Sequence, residues 1–257
     1  MKTVYGPVPS WRLGKSLGID VISVQKICSF DCVYCQLGKK DEKTVKRARF
    51  VKVERIKKDL SEALDALKGS DVDIITFSGM GEPTLASNLG EAVEVVRGIT
   101  DLPLAILTNS SLLHLEEVRS TLKKIDKVVA KLDAPNAEIF QSINRPHTSL
   151  SIDRIITGIK ELRKAYEGEF ELQMMFITEN KRNAEDLASL AVEIDPDRVE
   201  LNTPLRGCPV KPLSTDELRG ITRIFEQKGL DTVSVYEARK PEVKSVNYGE
   251  TSKRRPE

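Results

Sequence analysis

Three of the four cysteines in this 257-residue chain fall within eight positions: Cys28, Cys32 and Cys35, spaced C-x3-C-x2-C. Thiolates are soft ligands, and a loop this short can point three of them at one face of an iron–sulfur cube. Cubanes usually take four cysteines, so three leave one iron without a protein ligand. An open coordination position is what separates a catalytic metal site from a structural one, as zinc enzymes illustrate. Tyr34, directly before the third cysteine, adds an apolar ring beside the site. A structural zinc site would need a fourth ligand. Neither histidine (His114, His147) is near the loop in sequence, though the distant Cys208 could complete a four-cysteine set. Three clustered cysteines cannot all pair as disulfides, and the chain shows no secretory signal. The cluster is the preferred reading.

The loop and its flanks resemble the radical S-adenosylmethionine (SAM) superfamily. The runs Tyr5–Ser10 (YGPVPS), Ser16–Asp20 (SLGID) and Asp31–Gly38 (DCVYCQLG) are similar to an uncharacterised branch of iron–sulfur oxidoreductases grouped with the tRNA wyosine synthases. The likeness runs from about residue 4 to residue 210. It implies a [4Fe-4S] cluster on Cys28, Cys32 and Cys35, with the amino and carboxylate groups of SAM on the open iron. Reduction by an outside donor, such as ferredoxin or flavodoxin, would cleave SAM to methionine and a 5′-deoxyadenosyl radical. That radical would abstract hydrogen from an unreactive carbon of a small-molecule or tRNA substrate.

The same resemblance assigns further residues to SAM, Tyr34 among them. Ser78–Pro83 (SGMGEP) matches a Gly-Glu-Pro motif whose backbone and carboxylate meet the SAM amino group, which brings in Gly79, Gly81, Glu82 and Pro83. Glycines allow close backbone approach, and a carboxylate accepts from an ammonium. The plain alternative is a strand-to-helix turn with Glu82 at a helix start. Thr108, Asn109 and Ser110 resemble a Thr-Asn loop that holds the ribose and carboxylate, although such residues also cap helices. Lys131 and Asp133, two apart, share a strand face, and either contact SAM or substrate or form a structural pair. Gln173 and Met175 share a face of the next strand, and Met is commonly core filler. Asn202, in Asn-Thr-Pro, falls where the superfamily touches adenine or carboxylate. Cys208 is either a buried free thiol or a hydrogen-atom donor near the substrate.

The elements that must position these residues alternate. Residues 1–18 read as an irregular lead-in, and 19–27 (IDVISVQKI) as a strand feeding the cysteine loop. Helical spacing of Val53, Ile56, Leu60, Leu64 and Leu67 marks a helix stopped by Gly69. Strands are expected over 73–78, 104–108, 127–133, 170–177 and 198–202, with a last one over 232–236. Helices fall between them near 89–98, 114–125, 151–166, 181–194 and 215–228. Six strand–helix units imply a parallel α/β sheet with right-handed crossovers. The resemblance makes this a partial (β/α)6 TIM-like barrel, the radical SAM core. Residues 1–236 form that core domain, and the polar 237–257, with Arg254-Arg255-Pro256, a tail or edge-covering extension.

Composition narrows the partners. Lys+Arg is 40 and Asp+Glu 39, so a net charge of +1 argues against a broad nucleic-acid face. The basic segment 39–50 is a solvated run or a local anion contact. There is no membrane span of about 18 apolar residues and no apolar leader, which suits a reducing cytoplasm. Two other functions stay in view: an activase of glycyl-radical enzymes, and a non-catalytic iron–sulfur or zinc protein. Retention of SAM separates the latter from an enzyme.

Overall fold

Strand side chains alternate between two faces, and here the two faces are chemically different. Leu17, Ile19, Ile75, Phe77, Ile106, Val128, Phe170, Leu172 and Leu201 belong to one apolar core against the helices. The intervening positions include Ser16, Thr76, Lys127, Glu171, Gln173 and Glu200, all buried. A sheet with an apolar outside and a polar inside curls around a polar lumen. The computed structural model, which describes residues 1–22, 25–39, 42–67 and 72–255, is such a partial barrel.

Its eight strands lie side by side in chain order. They are β1 (Val4–Ser10), β2 (Gly14–Ile19), β3 (Ile74–Phe77), β4 (Leu104–Thr108), β5 (Lys127–Lys131), β6 (Glu169–Met175), β7 (Arg198–Asn202) and β8 (Thr232–Ser234). The pair β1–β2 is antiparallel; every later pair is parallel. Helices α1 (Val53–Asp65), α2 (Leu89–Arg97), α3 (Glu116–Leu122), α4 (Ala137–Ile139), α5 (Ile152–Ala165), α6 (Ala184–Ile194) and α7 (Thr215–Gln227) fill the crossovers, and α8 (Tyr248–Arg254) follows β8. Start signals are local: Ser151 caps α5, and Ser214 with Glu217 forms a capping box on α7. Among the described residues no helix is long and apolar enough to cross a membrane.

Two expectations at the N-terminus are corrected. Residues 1–18 are not irregular; they form the β1–β2 hairpin. The strand that feeds the cysteine loop is Gly14–Ile19; of the expected strand 19–27, residues 23 and 24 lie outside the described residues, and Val21 and Ile22 are buried without joining the sheet. Glycines at 14 and 18 argue for a turn by propensity, but tertiary packing overrides it. A Cβ at Gly18 would stand 2.2 Å from the Tyr5 ring, so the strand needs glycine there. Elsewhere the elements fall as expected with ends trimmed. The helix over 181–194 begins at Ala184, that over 114–125 spans Glu116–Leu122, and the last strand stops at Ser234. Gly69 lies outside the described residues.

The polar C-terminal stretch covers the β1 edge. Val246 N donates to Gly6 O at 2.8 Å, Asn247 Nδ2 to Val4 O at 3.0 Å, and Gly6 N to Thr251 Oγ1 at 3.1 Å. An open strand edge is thereby satisfied. Arg254 on α8 is 1% exposed; its Nε donates to Asp20 Oδ2 at 2.7 Å and its guanidinium lies over the Tyr5 ring. Such contacts are polar, so low apolar content concealed them.

Inside the lumen, Glu171 and Glu200 share a buried site with Lys127 (2.9 Å from Glu171) and Arg12 (3.2 Å from Glu200). Burial, then the Glu200 charge, pushes the Glu171 carboxyl up from 4.5 to about 8. Glu200 Oε1 is buried with no hydrogen-bond partner among the described residues, so it is free to accept from a protonated neighbour.

Truncating Arg254 to Ala would remove the guanidinium that faces the buried Asp20 charge. We expect a loss of about 3–5 kcal/mol in urea unfolding; a loss under about 1 kcal/mol would show the pair to be dispensable. Because the folded Glu171 pKa exceeds the unfolded one, its contribution is full below about pH 4.5 and fades as pH rises to about 8. Stability of Glu171→Gln should therefore decline less than wild type across that window, as read by denaturation at a series of pH values.

Candidate active site

The cysteine loop is pinned on three sides by backbone hydrogen bonds. Ile27 N donates to Met80 O at 2.9 Å and Glu82 N to Ile27 O at 3.0 Å, which straps the loop's entry to the turn after β3. Asp31 N donates to Asn144 O at 3.1 Å and Val33 N to Ile143 O at 2.9 Å, which ties its middle to the widened helical turn Phe140–Asn144. His147 N donates to Ser29 O at 2.8 Å. The histidine thus does come beside the loop, but through its backbone; its ring pairs with Ser149. Phe30 stands edge-on to Phe140 at 5.3 Å, and Lys26 pairs with Asp31 at 3.2 Å. Cys28, Cys32 and Cys35 are each half-buried and unbridged.

The turn Ser78–Pro83 shows why glycine is required. Gly81 has φ +142°, and a Cβ there would lie 1.7 Å from Ile27 O. At Gly79 (φ +157°) a Cβ would lie 2.2 Å from Asp20 Cγ. Both glycines let the loop and turn approach. Glu82 is 2% exposed. Its Oε1 accepts from Thr84 N (3.1 Å), Thr84 Oγ1 (2.6 Å) and Thr108 Oγ1 (2.7 Å), and its Oε2 from Asn109 N (2.6 Å). Four donors meet the usual capacity of a carboxylate. Glu82 therefore staples the turn after β3 to the loop after β4, and burial raises its carboxyl pKa. Asn109 continues the chain of contacts, its Nδ2 donating to Ser29 Oγ at 2.9 Å and Cys28 Sγ at 3.4 Å. Ser110 is fully buried and donates to Lys131 O at 2.9 Å.

A second network lies under Cys32. Asp133 accepts from Tyr34 Oη, from Asn144 Nδ2 (2.9 Å) and from Met175 N (2.8 Å), and pairs with Lys131 at 3.3 Å. Lys131 also donates to Gln173 Oε1 at 3.0 Å and lies over the Tyr34 ring. Asn144 Nδ2 reaches Cys32 Sγ at 3.4 Å. Asn144, which the sequence does not single out, thus joins the cysteine loop to the end of β5. Nothing in its local sequence signals this. Cys208 shares a small apolar cluster with Cys32, Tyr34, Ile143 and Ile177, and its thiol donates to Val210 O. Asn202 lines the lumen cavity, its Oδ1 accepting from Thr203 N.

The family model described as the Radical SAM superfamily matches residues 22–191, two thirds of the chain and the whole of this constellation except Asn202 and Cys208. The chain belongs to the radical SAM superfamily. Members of the superfamily are enzymes that bind a [4Fe-4S] cluster and SAM for radical chemistry. The chain is 40% identical over 228 residues to a UPF0026 protein of Methanocaldococcus jannaschii, covering 88% of this chain and 70% of that protein. It is 37% identical over 254 residues to a Brachyspira hyodysenteriae protein named GTPase Obg, covering 95% of this chain but 37% of that protein. In fold it matches Streptococcus suis SuiB, a structure with bound S-adenosylmethionine, at a TM-score of 0.63 and 14% identity, over 86% of this chain and 50% of SuiB.

The radical SAM cysteines fit a cluster chemically. Burial pushes the free thiols of Cys28 and Cys32 up to about 12 and about 11, which leaves them protonated and unreactive on their own. Metal binding displaces such protons, and amides such as those of Asn109 and Asn144 are the donors that a coordinated sulfur accepts. Among the described residues no three His, Cys, Asp or Glu side chains converge on one ion. Cubane thiolates need no such convergence, because each binds a different iron.

Gly81→Ala meets both a clash with backbone and an unfavourable φ. We expect destabilisation above about 2 kcal/mol and loss of iron from the isolated protein. Gly38→Ala (φ +77°, nothing within 4 Å) should cost only about 1 kcal/mol. Equal unfolding midpoints for the two would remove the strap from this account.

Proposed function

We propose that this chain is a radical SAM enzyme in which Cys28, Cys32 and Cys35 hold a [4Fe-4S] cluster. The substrate is a small molecule or RNA, and an external reductant such as ferredoxin or flavodoxin supplies the electron. The observation that carries this reading is the union of the three thiols, the Ser78–Pro83 turn and the Asn109 loop through direct hydrogen bonds. When bound and reduced, a cluster of this kind cleaves the sulfonium of SAM and supplies a hydrogen-abstracting radical.

The chain's own residues orient and protect. Asn109 and Asn144 stabilise negative charge on the sulfurs of Cys28 and Cys32. Gly79 and Gly81 present backbone beside the cysteine loop, where SAM would approach, and Glu82 with Pro83, Thr108 and Ser110 keeps that backbone in place. Tyr34, fixed by Asp133 and covered by Lys131, forms an apolar wall next to Cys35, and Phe30 against Phe140 excludes water behind Ser29. Asn202 faces the same lumen from β7, and Cys208 stands near enough to the loop to meet a substrate.

Anaerobic reconstitution with iron and sulfide, dithionite and SAM should yield 5′-deoxyadenosine on chromatography, slowly even without substrate. Single Cys→Ala changes at 28, 32 and 35 should abolish the product and lower bound iron. Full iron and sulfide in those variants would defeat the ligand assignment.

A further inference from the structure

The mouth of the lumen is more cationic than the chain's balanced charge. Behind the cysteine loop lies a cavity of about 310 Å³ whose wall includes Cys35, Gln36, Gln173 and three arginines, Arg12, Arg206 and Arg255. A second cavity of about 220 Å³ shares those arginines and reaches Gly79 and Gly81. Among the described residues no carboxylate lines either one.

Two of the three arginines lack a carboxylate partner among the described residues. Arg12 pairs with Glu200. Among the described residues Arg206 has only the neutral Gln36 Oε1, at 2.9 Å, and Gln36 is itself held by Arg254 O. Arg255 has no carboxylate partner among the described residues. Burial, then the Arg206 charge, pulls it down to about 10. Arg206 is exposed and Arg255 half-buried, so water screens part of this repulsion, and an anion held between the guanidiniums would relieve the rest. Two further donors at this wall are buried and unpaired, Arg12 Nε and Gln173 Nε2, and Gln173 is 5% exposed. Their missing acceptors suit the oxygens of one anion.

By contrast, the basic segment 39–50 is partly spent on the protein. Arg47 pairs with Glu117 and donates to Thr84 O and Ala86 O, and Arg49 pairs with Glu91. A volume of about 310 Å³ falls within the range of about 300–1,000 Å³ of small-ligand sites. Resting on the enzyme reading above, we propose that the lumen binds the anionic head, phosphate or carboxylate, of a small-molecule substrate on Arg12, Arg206 and Arg255, with Gln173 donating beside them. The end of α8 would then carry two roles: Arg254 anchors the helix, and Arg255, the residue after it, reads the substrate.

The test is calorimetric titration of the reconstituted full chain with inorganic pyrophosphate and, separately, succinate, at fixed ionic strength and with and without saturating SAM. We expect one saturable site for one of the anions, which distinguishes phosphate from carboxylate, with affinity unaltered by SAM. Arg206→Gln and Arg255→Gln should each weaken it about tenfold or more, Arg255→Lys should keep part of it, and Arg223→Gln, exposed on α7, should leave it unchanged. Iron content and SAM affinity should match wild type. Absence of saturation by both anions, or wild-type affinity in both Gln variants, would overturn the proposal. So would a fall in SAM affinity at intact iron content, which would give the arginines to the cofactor. A short single-stranded RNA that displaces pyrophosphate at lower concentration would overturn the small-molecule assignment. If wild type held no cluster or SAM yet bound pyrophosphate through these arginines, the anion site would stand and the radical reading would fall.

Discussion

One buried carboxylate governs how the active end of this barrel is assembled. Asp20, 1% exposed, follows the last residue of β2 and accepts from Ile22 N, Met80 N and Arg254 Nε. Through these three bonds it sets the direction in which the chain leaves the sheet toward the cysteines. It also holds the glycine turn after β3 and docks the C-terminal helix. A charge taken out of water needs a countercharge and hydrogen bonds, and here each of the three bonds joins a different part of the molecule.

The same economy of polar groups recurs at the rim. Glu82 and Asp133 are both buried carboxylates, and each gathers donors from separate strand ends. Glu82 links the ends of β3 and β4; Asp133 links the end of β5 to β6, to the Phe140–Asn144 turn and to Tyr34. The cysteine loop rests on both through Asn109 and Asn144. Two of the three thiols therefore sit on amides whose positions are fixed by carboxylates, which are fixed in turn by the barrel. Preorganisation of this kind lets a site exist before its cofactor arrives.

Much of this was readable from the chain. The C-x3-C-x2-C spacing, the SGMGEP turn and the alternation of apolar strands with amphipathic helices each have a local physical cause, so local sequence carries them. What escaped was non-local. The β1–β2 hairpin contains glycines that propensity counts against; the Tyr5 ring explains Gly18, and a positive φ beside Asp73 explains Gly14. Asn144 sits in a stretch with no motif and matters because folding brings it under Cys32. Arg254 and Arg255 are visible as a charged pair, but that one faces Asp20 and the other the lumen depends on a helix whose contacts are polar. Glu82 was legible as a residue of interest; that its oxygens are occupied by Thr84, Thr108 and Asn109 was not.

The contact between Arg254 and Asp20 joins positions 234 residues apart, whereas Lys15 N reaches Asp73 across 58. Chain statistics make the difference small. Closure entropy grows with the logarithm of loop length, so the longer connection costs only about 1 kcal/mol more than the shorter. Distance along the polymer is thus a weak barrier to recruiting a residue, and a wall of the lumen can come from the far end of the chain for little more than one from the next strand.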